Sequence, residues 1–316
     1  MRILVTGSSG YLGAGLVPRL RGLGHEVVGL DPVASTTTDV VGTVFDGALV
    51  RRLLRERAIQ AVIHGGALHK PQVATHPASA FVEVNVQGTL NLLEAAVAPG
   101  SSVDRFVFTS TTSLMISREL SAGRAAGRDR AAWITESFGP LAPRNIYGIS
   151  KLCAEQLCRM IHHAHGLPLL ILRTSRFFPE QDDMAHAIVQ SEPNTKTNEL
   201  LFRRLSREDA VECHLLALDK APEIGFDTFI VSARTPFVES DCEELMRDAP
   251  AVVARYYPHF QDVYRPLGWT MFDSIDRVYV SAHAEQRLGF SPRTSFASAL
   301  EGLSRRQSCQ AAQPAP

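Results

Sequence analysis

A tyrosine and a lysine four residues apart are the side chains with the clearest capacity for proton transfer. Tyr147 and Lys151 lie in the segment YGISK, and in a helix this spacing places both on one face. A neighbouring ammonium favours the phenolate, so it lowers the tyrosine pKa toward the range in which the phenol acts as a general acid or base. On spacing alone, an ordinary pair on a helix surface is the better interpretation, and the neighbouring motifs reverse that preference.

A run of hydroxyl side chains supplies a second reactive group. The run TSTTS, at 109–113, directly follows the short apolar segment Arg105–Phe108, which has the pattern of a buried strand. A hydroxyl at a strand end can hold a substrate oxygen and help to place a proton beside the tyrosine.

Three glycines near the N-terminus indicate an anion site. Gly7, Gly10 and Gly13 follow the apolar run Ile3–Val5 and precede a stretch with helical apolar spacing. Strand, glycine turn and helix in this order are typical of dinucleotide binding, in which the turn is tight, the backbone approaches a pyrophosphate and the helix start faces the anion. A glycine-rich turn without a ligand is the alternative, and a lone triplet does not exclude it.

The end of the second apolar run decides between the two interpretations and selects the cofactor. Asp31 follows Glu26–Leu30, where an acid binds both ribose hydroxyls of NAD. NADP requires a nearby cation for its 2′-phosphate, yet residues 31–50 contain no Lys or Arg. The sequence therefore favours NAD over NADP.

Length and charge limit the remaining possibilities. The chain has 316 residues and a formal net charge of −1, which argues against nucleic acid or an anionic membrane as the main partner. Apolar runs are too short to span a bilayer, and the strand-like start does not resemble a signal peptide. The five cysteines are scattered and form no metal-ligand pattern with the histidines. We therefore predict a cytoplasmic protein without a metal site.

Strands and helices alternate through the first half, which predicts an α/β fold with a doubly wound parallel Rossmann sheet. The strands are predicted at residues 3–5, 25–30, 40–45, 61–64, 105–108 and 169–172, with helices at 49–57 and 78–98 between them. Ligands bind at the carboxyl ends of such strands. The glycine turn, Asp31, Asp46, the His64-Gly-Gly segment, the hydroxyl run and Arg173 all fall at strand ends.

This organisation predicts an NAD-binding domain over residues 1–173, to which 211–233 return. Residues 174–210 and 234–304 are predicted to form a smaller substrate-binding lobe, and 305–316 a disordered tail. The basic segment 118–130, RELSAGRAAGRDR, reads as an exposed insertion or a flexible loop.

Taken together, these motifs resemble the extended short-chain dehydrogenase/reductase superfamily, the NAD-dependent epimerase/dehydratase family. The resemblance runs from Met1 to about Leu303. It is carried by TGSSGYLG at 6–13, Asp31, HGGA at 64–67, NVQGT at 85–89, TSTTS, YGISK, and ILRTSRFFP at 171–179.

The resemblance implies roles for individual residues. Tyr147 would be the acid/base, Lys151 would bind the nicotinamide ribose, and Thr111 would be the catalytic hydroxyl, with Thr112 and Ser113 as fallback choices. Asp46 would meet the adenine, and Asn85 would order the cofactor-side helix and loop. The implied cofactor-binding residues are Gly7, Ser9, Gly10, Tyr11, Leu12, Gly13, Asp31, Asp46, Gly65, Gly66, Ala67, Asn85, Thr109 and Lys151.

Substrate contacts are less specific. The candidates are His69, Lys70, Thr112, Ser113, Arg176 and Arg203. Arg203 and its neighbour Arg204 would pair with a carboxylate or phosphate, or equally form a solvated turn. The resemblance also suggests a homodimer formed through helices near 85–97 and 147–163.

Two departures from the family pattern bear on the reaction. Sugar-nucleotide 4,6-dehydratases carry an Asp-Glu pair after the catalytic Thr, where this chain has Thr112 and Ser113, so dehydration is disfavoured. The segment after Pro179 is short compared with the one that cradles the diphosphate in sugar-nucleotide enzymes. An abbreviated lobe of this kind favours a small polar or sugar-like substrate.

The predicted function is NAD-dependent hydride transfer at a secondary alcohol or ketone, either as net oxidation or reduction or as epimerisation. A sugar-nucleotide 4-epimerase is a further enzymatic option. A non-catalytic NAD sensor or scaffold on the same fold is the alternative from another class, and Tyr147, Lys151 and Thr111 argue against it.

Overall fold

The computed structural model describes residues 1–177 and 190–311. Its main feature is a seven-stranded, wholly parallel sheet in the order β3-β2-β1-β4-β5-β7-β8, with a separate parallel pair, β6-β9. The strands are β1 Arg2–Thr6, β2 Glu26–Asp31, β3 Val40–Val41, β4 Ala61–His64, β5 Arg105–Thr111, β6 Ala132–Ile134, β7 Leu169–Thr174, β8 Phe226–Val231 and β9 Arg277–Tyr279. The order reverses between β1 and β4, which is the switch point at which a doubly wound sheet binds its ligand.

Helices connect the strands and cover the sheet. The α-helices are α1 Gly13–Gly22, α2 Gly47–Glu56, α3 Ala78–Phe81, α4 Gly88–Val97, α5 Arg118–Ala122, α6 Ile146–His165, α7 Glu192–Glu199, α8 Arg207–Ile224, α9 Cys242–Arg247, α10 Ala249–Tyr256, α11 Phe260–Tyr264, α12 Ala282–Leu288 and α13 Phe296–Ala311. Among the helices that the structure describes, none is long and apolar enough to cross a bilayer.

The sheet is buried on both faces, because its central strands are almost uninterrupted apolar runs. One core joins the sheet to α1 and α8 through residues such as Leu16, Val17 and Leu218. The opposite core joins it to α2, α4 and α6 through residues such as Leu53 and Leu92. Helices on both faces leave the carboxyl ends of the strands open as a crevice, which confirms the predicted doubly wound fold.

Two predicted elements differ in the structure. The third strand was expected over 40–45 but contains only Val40 and Val41, because its neighbour β2 ends at Asp31 and offers no partner beyond that residue. The helix expected over 78–98 is helical throughout but consists of α3, a π-helical segment at Val82–Gln87 and α4. The π-helical segment carries Asn85, and such segments are frequent at functional sites.

A smaller lobe follows the sheet. Its core contains Leu201, Leu245, Val252 and Phe296, and β9 ties it to β6. The tail predicted from residue 305 is wrong for 305–311, because these residues continue α13; residues 312–316 lie outside the described part of the chain.

The predicted insertion at 118–130 contains a short helix, α5, and a following 3₁₀ turn over Gly123–Ala126. Leu120 is buried in a small core with Ile134 and Tyr279, whereas most other residues of the segment are exposed. It is therefore an exposed but partly anchored insertion. Phe178 and Pro179, which belong to the predicted motif after β7, lie outside the described residues.

Candidate active site

The glycine turn packs directly against the loop that follows β4. Gly7 has a φ of +73°, and a Cβ atom placed there would lie 2.8 Å from the Gly66 nitrogen. A Cβ atom on Gly13 would lie 2.2 Å from the Gly7 carbonyl oxygen and 2.6 Å from Ser8 Cα. Real Cβ atoms do not approach backbone this closely, so both positions require glycine for this turn and for the entry of α1.

A cavity of about 330 Å³ opens above this turn. Most of the predicted cofactor-binding residues line it, namely Gly7, Ser9, Gly10, Tyr11, Leu12, Gly13, Asp31, Gly65, Gly66, Ala67, Thr109 and Lys151. The bare glycine turn below it leaves room for a pyrophosphate next to the first turn of α1. The lining of the cavity therefore consists largely of the residues predicted to bind a dinucleotide.

Asp31 is one of the residues that line this cavity. It is buried, and its carboxylate accepts hydrogen bonds from Ser9 N at 3.2 Å and Val33 N at 2.9 Å. Among the described residues that line the cavity, Lys151 is the one lysine or arginine, and it belongs to the Tyr147 end. The lining thus fits the two free hydroxyls of NAD better than the 2′-phosphate of NADP.

Two of the predicted cofactor residues do not line the cavity. The Asp46 side chain is exposed and caps α2, accepting hydrogen bonds from Ala48 N and Leu49 N at 3.0 Å each. Capping alone accounts for an aspartate at this position, and its contact with adenine stays a prediction. Asn85 instead supports the cavity from behind.

Asn85 ties the loop after β4 to the helix that carries Tyr147. Its amide oxygen accepts from Leu68 N at 2.8 Å, and its amide nitrogen donates to Leu68 O and to Ser150 Oγ, both at 2.9 Å. Ser150 Oγ in turn donates to Tyr147 O at 2.9 Å. This is the ordering geometry that the sequence predicts for Asn85, since loop and helix are held by one buried amide.

A buried histidine extends this network to the glycine turn. His64 Nε2 donates to Thr89 Oγ1 at 3.0 Å, because the Thr89 hydroxyl already donates to Asn85 O at 2.6 Å. His64 Nδ1 therefore accepts from Thr6 Oγ1 at 2.7 Å, and Thr6 Oγ1 accepts from Gly66 N at 3.1 Å. The chain of bonds requires neutral imidazole, and burial lowers the pKa of His64 well below its usual value.

A second neutral histidine fixes the hydroxyl of Thr109. His214 Nδ1 donates to the Ala210 carbonyl at 2.7 Å, so its Nε2 accepts from Thr109 Oγ1 at 2.8 Å. Burial lowers the pKa of His214 to about 4, which keeps the acceptor nitrogen free of a proton at neutral pH.

Tyr147 stands where two cavities meet. A second cavity of about 670 Å³ adjoins the first, and His69, Tyr147 and Thr174 line both. Tyr147 is 7% exposed and lies in the first turn of α6, whose N-terminus is capped by Asn145 through Gly148 N at 3.0 Å. The phenol thus lies between the cavity lined by the predicted cofactor residues and a second cavity to which charged and hydroxyl side chains contribute.

The hydroxyl run divides between these two cavities. Thr109 lines the first, whereas Thr111, Thr112 and Ser113 line the second beside Tyr147. Thr111 ends β5, and its hydroxyl oxygen accepts from Ser113 N at 3.1 Å. The Thr112 hydroxyl donates to Thr174 O at 3.4 Å, so Thr111 is the better placed of the two to donate toward the cavity.

Lys151 is buried at the Tyr147 end of the first cavity. Its Nζ lies 4.0 Å above the centre of the Phe108 ring. One helical turn further, Glu155 is held by Arg173 at 2.7 Å and by Ser110 Oγ at 2.6 Å. Burial lowers the pKa of Lys151 to about 7, although the Glu155 carboxylate opposes this shift.

The buried lysine has a cost in stability that can be measured. The pKa of Lys151 is about 7 in the folded chain and 10.5 in a solvated lysine. Between these pH values the unfolded chain binds one proton more than the folded chain, so the free energy of unfolding increases as the pH rises. We expect Lys151→Met to raise Tm by about 3–10 °C at pH 7, with the gain shrinking toward pH 10. Calorimetry over this pH range measures it.

Lys220→Met is the matched control, because Lys220 is 43% exposed and pairs with Glu223 on the surface. It should shift Tm by less than about 1 °C. A Lys151→Met protein whose Tm is equal to or below that of the wild type at pH 7 would contradict the expectation.

The predicted substrate residues all line the second cavity, but their arginines are paired rather than solvated. Arg203 contacts Glu199 at 2.9 Å and Arg204 contacts it at 2.8 Å, and Glu199 is fully buried. Arg176 lies 3.9 Å from the same carboxylate. The solvated turn considered for Arg203 and Arg204 is therefore wrong.

His69 and Lys70 border the second cavity on its other side. The His69 ring lies 5.9 Å from the Tyr147 ring, centre to centre. Burial and the nearby Lys151 ammonium lower the pKa of His69 to about 4, so it is a neutral hydrogen-bonding group at pH 7.

Comparison with known proteins identifies the family of the chain. The model of the NAD dependent epimerase/dehydratase family matches residues 3–225. A dTDP-glucose 4,6-dehydratase of Xanthomonas campestris is 33% identical over 202 residues, which cover 56% of this chain and 55% of the dehydratase. A UDP-glucose 4-epimerase of Azospirillum brasilense is 30% identical over 181 residues, which cover 54% of this chain and 48% of the epimerase. The chain thus spans about half the length of these curated relatives.

A solved short-chain dehydrogenase/reductase superfamily protein of Agrobacterium tumefaciens, with bound NAD, has a TM-score of 0.65 at 24% identity over 98% of both chains. The fold is therefore shared across the lobe as well as the sheet. Fold and site define an extended short-chain dehydrogenase/reductase. The chain belongs to the NAD-dependent epimerase/dehydratase family, and NAD is its cofactor.

Several residues of the site were not predicted. His214, Glu155, Phe108, Glu199 and Ser175 were not assigned to the site from the sequence. The sequence around His214 does not indicate that this side chain contacts Thr109, because the two residues are 105 positions apart in the chain. Only Glu155 had a local signal, since it follows Lys151 by one helical turn.

Proposed function

We propose that this chain transfers hydride between NAD and a secondary alcohol or ketone, with Tyr147 as the acid/base. The observation that carries the proposal is the position of Tyr147, which lines both the dinucleotide cavity and the adjoining polar cavity. A substrate in the second cavity meets the phenol at the junction, where a cofactor in the first cavity would present its reactive end.

The chain's own groups would divide the proton transfer among them. In the oxidative direction the Tyr147 phenolate takes the proton of the substrate hydroxyl, and in reduction the phenol returns it. The Lys151 ammonium stabilises the phenolate one helical turn away, and the Thr111 hydroxyl holds the substrate oxygen. Bound NAD supplies the hydride acceptor and donor at nicotinamide C4.

Net oxidation of the substrate and epimerisation both begin with the same step, the transfer of hydride from the substrate to NAD. Epimerisation of a sugar nucleotide is the second candidate, and the similarity to a UDP-glucose 4-epimerase favours it. The absence of an Asp-Glu pair at Thr112 and Ser113 leaves no acid next to Thr111 for protonating a leaving hydroxyl, which argues against dehydration.

The retention of the cofactor separates the two candidates. Purified protein is denatured, and the released nucleotide is quantified and identified. One NAD for each chain after extensive dialysis supports epimerisation, because the cofactor is regenerated in each turnover. Free exchange, with growth of absorbance at 340 nm during turnover of an alcohol, supports a dehydrogenase. NADP in place of NAD would contradict the assignment of Asp31.

We infer that two copies of the chain associate through α6. Ile149, Cys153 and Met160 lie on one face of this helix and are exposed, Ile149 by 46% and Met160 by 49%. Val82, which is 48% exposed, lies on the neighbouring π-helical segment. A second copy would cover these apolar side chains.

The expected result of Ile149→Glu combined with Met160→Glu is a change from dimer to monomer, because two carboxylates would be buried without partners. Light scattering after gel filtration measures the mass, and one chain has 34.6 kDa. Leu23→Glu is the control, since Leu23 is 50% exposed at the end of α1. A wild-type protein that is monomeric at micromolar concentration would refute the inference.

A further inference from the structure

Three chain segments are joined side by side to form one wall of the second cavity. Arg176 N donates to Arg203 O at 3.2 Å, and Tyr279 N donates to Phe202 O at 2.9 Å. The segment that follows β7, residues 202–204 and β9 are therefore held side by side by their backbones. Side chains from all three segments line the cavity, so their relative positions are fixed before any substrate arrives.

This wall and its surroundings are rich in cations. Of the described residues that line the second cavity, five are lysine or arginine and one is a carboxylate. The cations are Lys70, Arg144, Arg176, Arg203 and Arg277, and the carboxylate is Asp276. Arg277 and Asp276 pair with each other, with Arg277 Nε at 2.8 Å from Asp276 Oδ1. The charge of the cavity therefore favours an anionic ligand.

Arg203 is pre-oriented at this wall. Its Nη2 lies 2.9 Å from Glu199 Oε1 in an ion pair, although neither Glu199 Oε1 nor the buried Arg203 Nε has a hydrogen-bond partner. A guanidinium fixed at one edge and unpartnered at Nε is suited to an oxygen anion, because its donors match carboxylate and phosphate geometry.

Ser175 supplies the second, independent observation. It is 3% exposed and lines the cavity, yet its hydroxyl has no hydrogen-bond partner. A buried hydroxyl without a partner carries a desolvation penalty. Rotation about the Cα–Cβ bond lets this hydroxyl donate to an oxygen atom in the cavity, which removes that penalty when a ligand is bound.

Ser175 and Tyr147 line the same cavity. Thr174, which precedes Ser175, lines both cavities together with Tyr147. An oxyanion at Ser175 would therefore share this cavity with the carbon that reacts at Tyr147.

We propose that Arg203 and Ser175 bind an oxyanion of the substrate, so that the substrate class is an acidic polyol or sugar derivative with its carboxylate or phosphate near the reacting carbinol. This inference rests on the proposed function, because it assigns the substrate of the same site. The shared chemistry is an anionic oxygen group, and carboxylate and phosphate are distinguished by experiment.

Calorimetric titration of NADH-saturated protein tests the inference without turnover, because an alcohol and the reduced cofactor cannot react with each other. The probes are D-gluconate, D-glucitol 6-phosphate and UDP-glucose, and neutral D-glucitol is the reference that lacks the anion. At least one anionic probe should bind about 10-fold or more tightly than D-glucitol. The preferred probe identifies the carboxylate, the phosphate monoester or the nucleotide diphosphate as the source. Equal affinity for all four probes overturns the inference. So does the absence of detectable binding by every anionic probe.

Paired variants then locate the subsite. Arg203→Gln should weaken the preferred anionic probe by about 10- to 100-fold. Arg204→Gln should change its affinity by less than about 3-fold, because Arg204 also pairs with Glu199 but is not among the residues that line the cavity. Both variants lose one Glu199 contact, so equal weakening in the two would show a structural role and overturn the proposal.

Ser175→Ala tests the anion subsite with a substitution that is not expected to destabilise the fold. Since the hydroxyl has no partner, its removal should leave Tm unchanged or higher while weakening the anionic probe by about 3- to 10-fold. An unchanged affinity would contradict the assignment of Ser175.

The two levels of inference fail differently. If Tyr147→Phe abolishes turnover but binding is indifferent to charge, the proposed function stands and the anion subsite is wrong. If the anionic probes bind through Arg203 and Ser175 but no alcohol or ketone is turned over, the binding result stands and the proposed function is wrong.

Discussion

Replacement of Tyr147 by phenylalanine is expected to lower kcat by about 10²- to 10⁴-fold, the range that a positioned general acid/base contributes. The substitution removes one hydroxyl from a side chain that is 7% exposed and lines both cavities. It leaves the glycine turn, Asp31 and Lys151 in place, so NAD affinity should change by less than about 3-fold. Initial rates and fluorescence titration with NADH measure the two quantities.

Tyr256→Phe is the matched control. It also removes a phenolic hydroxyl that makes a hydrogen bond, to Asp241 at 2.6 Å, but Tyr256 is not among the residues that line either cavity. Its kcat should equal that of the wild type. A Tyr147→Phe enzyme with undiminished kcat would remove Tyr147 from the chemistry.

The second large effect is expected from Gly13→Ala, which should weaken NAD binding by about 100-fold or more. The new methyl group would lie 2.2 Å from the Gly7 carbonyl oxygen and 2.6 Å from Ser8 Cα. Backbone on both sides cannot yield as a flexible side chain can, so the turn must open and α1 must move away from the site of the pyrophosphate. Calorimetric titration with NAD measures the loss.

Gly22→Ala is a control in the same helix. A Cβ atom there meets nothing within 4 Å, so the variant should bind NAD as the wild type does and gain slightly in stability from the lower flexibility of the unfolded chain. Circular dichroism of both variants separates a local opening of the turn from unfolding. Wild-type affinity in Gly13→Ala would show that the close packing of the turn is not needed for binding.

The parts of this molecule that were predictable from the sequence are those with local signals. Gly7, Gly13 and Asp31 form a single βαβ unit, and the spacing of Tyr147 and Lys151 fixes their common helix face. Alternation of buried strands and helices was likewise sufficient to predict a doubly wound sheet.

The errors have physical causes. The third strand stops at Val41 because β2 ends at Asp31, and pairing partners are not visible in a single segment. Residues 305–311 are polar in composition but continue α13, which packs through Phe296 and Leu300 on the core of the lobe. Both outcomes depend on tertiary contacts that override local composition.

The parts of the site that escaped prediction are contacts between distant residues. His64 reads as a strand-end residue, yet its neutral ring joins Thr6 to Thr89. Arg203 reads equally as a solvated or an anion-binding residue until the buried Glu199 is seen beside it. Burial sets the protonation of such groups, and burial is a property of the whole fold.

The most direct measurement of the central claim is hydride transfer by the wild type and by Tyr147→Phe, followed with NAD and a panel of polyols, hydroxy acids and sugar nucleotides. Absorbance at 340 nm records net oxidation, and chromatographic separation of the epimeric products records epimerisation. We predict turnover of at least one compound by the wild type and a loss of about 10²-fold or more in Tyr147→Phe. Equal turnover by the two proteins would contradict catalysis at Tyr147, and no turnover by either, with NAD bound to both, would leave a protein that binds NAD without using it.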